Sequence, residues 1–485
     1  MTRSRWALAV AVLTAAVFAR SLGADFIGLD DPAHLTRNPR LSELSWESLR
    51  WFFGLGWVHW YPLTWLSFAA DRLLWDLRPA GVHAVGVALH ALNAVLVFAL
   101  WRRLLPQRRS RDAAAAFGAL LFSLHPLRVE SVTWATERSD TLSAAFILGS
   151  LLAWLDGRPG RSLLLHGVGL TAKGVGMTTP LVLLLLDGLG VSGRPWPGSR
   201  EALKRQAPFL ALSVAAGFLN KAAQDRFGAT WALEKLGVFD RLMIGLWNYA
   251  HGVVKTAWPS GLMGLYPMPH PFDPSEPRFL LGGALVLALS ALVWRLRRRA
   301  PAAAAAWGAY LLVMAPMAGF IKTGPQLMAD RYSYLAALGF SGLAAAGLAR
   351  GLEGRRAAAF AAAALAALGA LAAATWTRQG TWLDNDRFWS AMAATDPRHA
   401  VARHFLGQER IRQGRLAEAE LLLRESLALD PSYGATHNSL GNLLLRAGRP
   451  AEAVPHFEAA LRLSPGRPEP LRGLEQARAA LAPRR

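Results

Sequence analysis

The sequence predicts an all-α protein in two parts. A polytopic transmembrane helical domain of about eleven spans covers residues 1–378, and a short α-solenoid of helix-pair repeats covers 379–485. Three observations carry this. Of 485 residues, 53% are hydrophobic and 19 are Trp, too apolar for a chain of this length that packs a single aqueous core. Apolar runs of membrane length, or nearly so, are separated by short clusters of arginine. Beyond Trp376 the composition turns soluble and a 34-residue period begins.

The apolar runs lie at about 6–22, 83–101, 113–127, 139–155, 162–187, 206–222, 279–294, 301–321, 332–349 and 357–377. The first resembles a secretory signal, with Arg3 and Arg5 ahead of it and Ser21-Leu22-Gly23-Ala24 behind. Leu22 stands where a cleavage site wants a small residue, so an uncleaved anchor is expected. The net charge of +20 would suggest a nucleic-acid partner in a soluble chain. Here the cations fall between apolar runs, at Arg102 to Arg111, Arg158 and Arg161, Arg194 to Arg205, Arg295 to Arg299 and Arg350 to Arg356. That is the positive-inside pattern, and no nucleic-acid binding is expected. All these clusters share the cytoplasmic side if 162–187 makes two short passes with a turn near Ala172-Lys173-Gly174. The N-terminus is then inside, and the repeats are outside. Residues 241–262 carry Asn248, His251 and Lys255 and read as an interfacial helix on the outer face. With no cysteine, disulfides and thiolate metal sites are excluded.

The first outer loop, about 23–81, is long and rich in aromatics. Trp57, Trp60, Tyr61, Trp65 and Trp75 suit an interfacial belt over short helices. At the other end of the chain, Asp396-Pro397 recurs as Asp430-Pro431 and Ser464-Pro465. Leu406-Gly407 matches Leu440-Gly441, Gly414-Arg415 matches Gly448-Arg449, and Ala419 matches Ala453. A 34-residue unit with small residues at these places is the tetratricopeptide signature, a helix pair whose small residues let its members approach.

Polar groups gather at the outer mouth. Asp30 and Asp31 follow the first span directly, as solvated loop residues or as a functional pair. His83, His90 and Asn93 share one face of the second span, for interhelical hydrogen bonding, a polar ligand or a metal. Glu130, Arg138 and Asp140 mark the tip of the next hairpin, with a Glu130–Arg138 pair as the structural alternative. Lys173 is the lone formal charge between Arg161 and Asp187 and requires a carboxylate or a phosphate. Arg331, in the loop from Ile321 to Tyr334, has either a phosphate or Asp330 as partner. Carboxylates and cations together at a lipid edge suit a phosphate-linked lipid donor. The cations hold the departing phosphate while a carboxylate takes the proton of an attacking hydroxyl.

Taken together, Asp30-Asp31-Pro32 with Asn38-Pro39, Tyr61-Pro62-Leu63, His83 with His90 and Asn93, His125-Pro126-Leu127 through Glu130, Arg138-Ser139-Asp140, Ala172-Lys173 with Thr179-Pro180, Met328-Ala329-Asp330-Arg331-Tyr332-Ser333-Tyr334 and the repeats form one pattern. It resembles the transmembrane and tetratricopeptide-repeat proteins of the GT-C glycosyltransferase superfamily, in a bacterial form. Characterised eukaryotic members move mannose from dolichyl phosphate mannose to protein hydroxyls. The resemblance implies a polyprenyl-phosphate-linked sugar donor, transfer of a hexose such as mannose, and inverting chemistry on the periplasmic face of an inner membrane. The acceptor it implies is a protein Ser or Thr, captured through the repeats. In site terms it implies Asp30, Asp31 and Glu130 as catalytic groups, and Arg138, Lys173, Arg331, His83 and His90 around the donor phosphate. Gly86 and Gly174 depart from the family pattern, which favours Asn and a bulkier residue there. A divalent cation at Asp30 or Asp31 stays open. A non-catalytic repeat scaffold is the main alternative. A transporter would want an inverted repeat and midplane charges, and neither is found.

Overall fold

The computed structural model describes residues 2–193, 196–228, 236–269, 271–320, 326–465 and 468–482. Arg194 and the stretch from Ile321 to Pro325, used in the sequence reading, lie outside the described residues. The chain divides into two compact units: Met1–Leu262 with Phe272–Leu383, and Met263–Pro271 with Asp384–Arg485.

The larger unit is helical. Among the described residues four helices are long and apolar enough to cross a membrane: Arg3–Gly23, Pro79–Leu104, Pro277–Leu296 and Ala357–Trp382. A bent pair, Asp330–Ala336 with Leu338–Gly351, makes a fifth if it is one span. The expectation of about eleven spans is therefore not supported. The other apolar runs are helical but shorter or more polar. Arg111–Ser123 stops after 13 residues because His125 takes up the Leu127 N–H and Pro126 has no N–H to continue the ladder. The run 162–187 breaks into Pro159–Ala172 and Thr179–Gly188, with extended backbone at Lys173 between them. Ser199–Arg226 is 28 residues long but carries Arg200, Lys204 and Arg205 in its first turns.

Polar side chains join these helices in the interior, as expected where no water competes. Thr14 and Ser123 share a hydroxyl hydrogen bond of 2.8 Å, and the Asn93 amide donates to the Thr141 carbonyl at 2.8 Å. In Val238–Ala257 the polar Asn248 turns inward rather than toward headgroups, donating to the carbonyls of Ala318 (2.7 Å) and Leu327 (3.1 Å). Its presence in 241–262 is thus explained by packing.

The first loop builds its own core around Trp65, which is buried against Trp51 (4.9 Å), Tyr61 (5.3 Å) and His34 (5.4 Å). Tyr61 and Trp65 are therefore core residues of this loop and not members of an exposed belt, whereas Trp75 is exposed. Three short helices carry the loop: Pro39–Ser42, Trp46–Phe53 and Pro62–Trp75.

In the smaller unit, helix pairs Ala400–Arg412 with Leu416–Leu429 and Gly434–Arg446 with Pro450–Leu463 are flanked by Asn385–Thr395 and Pro468–Leu481. Each pair turns at a left-handed glycine, Gly414 (φ 76°) and Gly448 (φ 73°), where a side chain would be strained. Ala419 and Ala453 are fully buried at equivalent places, so the small residues of the repeat do mark the close contacts.

Candidate functional site

The two adjacent aspartates have different environments. Asp31 is fully buried, and its carboxylate accepts hydrogen bonds from the N–H groups of Ile27 (2.8 Å) and Thr136 (2.9 Å) and from the Thr136 hydroxyl (2.5 Å). It staples the first loop to the segment before Arg138. Asp30 is exposed. Its backbone carbonyl accepts from the N–H (2.9 Å) and Nδ1 (3.0 Å) of His34, within a π-helical turn that Pro32 starts. Since a carbonyl only accepts, Nδ1 carries the proton, and Nε2 accepts from the Tyr61 hydroxyl at 2.6 Å. Burial pushes the Asp31 carboxyl up to about 7, against the pull of its three donors. Asp30 reaches solvent from a crowded rim. The loss of surrounding water raises its carboxyl, opposed by His34, reinforced by Glu137 and opposed again by Arg331.

Below this rim lies a network of charges. Pro126–Arg128, Val129–Thr133 and Ala135–Glu137 form a string of short turns that ends where the helix Arg138–Leu155 begins. Glu137 bridges two cations, Lys173 Nζ at 2.6 Å and Arg331 Nε at 3.2 Å. Lys173 also pairs with Asp140 at 2.8 Å. The Arg331 N–H donates to Glu130 Oε2 at 2.9 Å, while its guanidinium meets Glu130 Oε1 and lies over the Trp134 ring at 5.3 Å. Burial opposes ionisation of Glu137, but Lys173 and then Arg331 outweigh it and hold the carboxyl down to about 2. Burial, with Lys173 next, lowers the rim residue His59 to about 4, so its ring is neutral.

Of the residues expected from sequence, the structure brings together Asp30, Glu130, Lys173 and Arg331. Three others lie apart from this group. Arg138, expected at a phosphate, is buried in an ion pair with Asp71, donates to the Val82 carbonyl (2.7 Å) and lies over Phe68 (4.8 Å). That pairing also replaces the alternative Glu130–Arg138 contact. His90 uses both ring nitrogens, on the Tyr334 hydroxyl (2.7 Å) and the Ser123 carbonyl (3.0 Å). His83 is buried beside Phe26. Arg331 does not pair with Asp330, whose partner is Arg378 at 3.0 Å. Sequence reasoning missed Glu137, Thr136 and the Asp71 partner. The i, i+3 spacing of Glu137 and Asp140 on one helical face was the available signal for a shared cation. A Cβ at Gly86, where the family pattern favours Asn, would stand 3.2 Å from the Val132 carbonyl, a tight contact that would need a shift of a few tenths of an ångström. Among the described residues no group of three or more His, Asp or Glu side chains is arranged to hold a metal ion.

Residues 406–468 match the tetratricopeptide repeat family. The chain is 33% identical over 119 residues to the mouse (Mus musculus) Protein O-mannosyl-transferase TMTC3, covering 24% of this chain and 12% of that protein. It is 35% identical over 133 residues to Protein O-mannosyl-transferase Tmtc1 of Drosophila melanogaster, covering 27% and 15%. It is 28% identical over 221 residues to human (Homo sapiens) Protein O-mannosyl-transferase TMTC1, covering 39% and 24%. The matched stretches thus span less than a quarter of the length of each of these relatives, or about that.

Proposed function

We propose that this protein is a GT-C-type membrane glycosyltransferase of the periplasmic face. It moves a hexose such as mannose from a polyprenyl-phosphate carrier to a protein Ser or Thr. The observation that carries the reading is Asp30, an accessible carboxylate on the rim of a network holding Lys173 and Arg331. The names of the relatives agree with it. In the reaction the acceptor oxygen attacks the anomeric carbon from the face opposite the phosphate, the carbon–phosphate-oxygen bond breaks, and configuration inverts. Asp30 takes the hydroxyl proton, and Lys173 and Arg331 stabilise the charge left on the phosphate. Asp31 and Thr136 fix the loop that presents Asp30. The repeats capture the acceptor.

One observation favours the second reading, a non-catalytic scaffold. Lys173 and Arg331 each already have two carboxylate partners, so neither charge waits for a phosphate. The test is transfer by the purified protein from a short-chain polyprenyl phosphate mannose to a Ser/Thr peptide, read by mass. Wild type should add hexose, and Asp30→Asn should lose about 100- to 10,000-fold in rate while donor binding persists. Equal transfer by Asp30→Asn would remove that residue from the chemistry. No transfer or hydrolysis by either protein would favour the scaffold.

A further inference from the structure

A second set of charges surrounds Asp330. Its carboxylate pairs with Arg378 at 3.0 Å, and Arg128 and Lys255 lie within electrostatic reach of it. These cations come from three elements held at one corner. Arg378 closes the helix Ala357–Gln379, which is tied to the turn before Arg128 by a hydrogen bond of 2.7 Å from the Thr375 hydroxyl to the Leu124 carbonyl. Lys255 sits in the last turn of Val238–Ala257, joined to the same turn by His125 Nε2 donating to the Thr256 carbonyl at 3.1 Å.

The balance of charge is the reverse of that around Asp30. There, Glu130, Glu137, Asp140 and Asp30 outnumber Lys173 and Arg331. Here, Asp330 is paired with one cation and lies within electrostatic reach of two more. Arg128 is 2% exposed, and its Nε and Nη1 have no hydrogen-bond partner among the described residues. The ring faces of Phe122 (5.0 Å) and Tyr334 (5.5 Å) shield it instead. Asp140 also lies within its reach but is bonded to Lys173 and to the Ser131 hydroxyl, each at 2.8 Å. The Nε of Arg378 is unpartnered as well. A buried guanidinium without acceptors is costly, and an anion that supplied them would recover that cost.

The skin of the molecule beside these cations is apolar. Trp258 (72% exposed) and Val254 (47%) flank Lys255, and Trp376 (45%) stands two residues before Arg378. Cations beside outward-facing tryptophans are the arrangement of a membrane interface, where headgroup phosphates lie.

We propose that Arg128, Lys255 and Arg378 form a second anion site, separate from the Asp30 network, that takes the phosphate of a lipid phosphate ester. The site binds whether or not transfer occurs at Asp30. Membrane phospholipid and polyprenyl phosphate present the same chemistry to it.

The test is the thermal unfolding midpoint of the full-length protein in detergent. It is titrated separately with phosphatidylglycerol, a short-chain polyprenyl phosphate and inorganic phosphate, with diacylglycerol as the uncharged control. Wild type should be stabilised by one or both lipid phosphates and not by diacylglycerol. Lys255→Ala, at a half-buried position, should weaken that response at least about tenfold in apparent affinity, as should Arg128→Gln. A response to both lipids identifies a general headgroup site, and a response to polyprenyl phosphate alone identifies the carrier. A response to inorganic phosphate alone overturns the lipid origin. Equal titrations for wild type and Lys255→Ala overturn the site. Lys173→Gln, which removes a cation from the Asp30 network, should keep the full response even where transfer is lost; if it abolishes the response, the phosphate sits in the Asp30 network and the proposal fails.

Discussion

Asp330 and Arg331 are adjacent and opposite in charge, yet they do not pair with each other. Arg331 turns to Glu130 and Glu137, and Asp330 turns to Arg378. A single turn, Asp330–Tyr332, thereby pins two separate charge networks. The fork geometry of the guanidinium matters here, because Arg331 meets two carboxylates at once. Arg331→Lys keeps the charge but offers one point of contact. It should lower transfer by at least about tenfold while Arg331→Lys protein remains folded, as read by kcat at saturating donor. Undiminished kcat would mean that charge alone suffices.

Asp31→Asn and Asp30→Asn should separate structure from chemistry. Asparagine at position 31 replaces one acceptor oxygen with an N–H group that faces a donor, either Ile27 N–H or the Thr136 pair. A clash of donors in a buried place costs about 1–3 kcal/mol. Asp31→Asn should therefore lower the unfolding midpoint and loosen the first loop to proteolysis, whereas Asp30→Asn should leave both unchanged. The reverse pattern would show that the structural aspartate had been misassigned.

The pH profile of transfer follows from the raised carboxyl of Asp30. A general base works when deprotonated, so activity should rise with pH through a limb above the ordinary carboxylate range. Glu137→Gln removes a nearby negative charge and frees Arg331 from a partner, and both changes favour ionised Asp30. The acid limb of kcat/KM should then move to lower pH. A limb that stays in place would assign it to another group.

What could be read from the sequence divides along a physical line. The repeats were legible because each unit buries its small residues against its neighbour in sequence, and Ala419 and Ala453 do so. The break at Lys173 was legible because one charge in a long apolar run has to leave the helix. Ion-pair partners were not legible. Arg331 and Glu130 stand 201 residues apart, and only the packing of distant helices brings them together. The number of spans was overcounted for a related reason. Apolar runs such as 113–127 are short helices buried against other helices, and hydropathy reads burial in protein and burial in lipid alike.

Arg138 and Asp71 offer a test of that distinction. Both side chains are almost wholly buried and in contact. Arg138→Met should cost about 3–5 kcal/mol by leaving the Asp71 carboxylate without its cation, while the double replacement Asp71→Leu with Arg138→Met should recover most of it. The measurement is the unfolding midpoint together with transfer. Recovery of both in the double variant makes Arg138 structural. Recovery of stability without transfer would return it to the donor site.

The repeats can be tested through one aromatic ring. Phe457 is fully buried, and a Cβ built on Gly441 would stand 2.9 Å from it, while one on Gly473 would stand 2.3 Å from it. The ring is thus seated between the helix of its own repeat and the terminal helix Pro468–Leu481. Gly473→Ala forces a methyl into a ring that cannot retreat, and overpacking of this kind costs about 1–3 kcal/mol. Stacked repeats gain stability from each interface with a neighbour, so the loss should fall on the terminal helix first. Hydrogen exchange should show that helix opening while Ala400–Arg412 stays protected. If the repeats capture the acceptor, the same substitution should raise KM for the peptide and leave kcat and the donor KM unchanged. A fall in kcat at constant peptide KM would instead tie the repeats to the catalytic step.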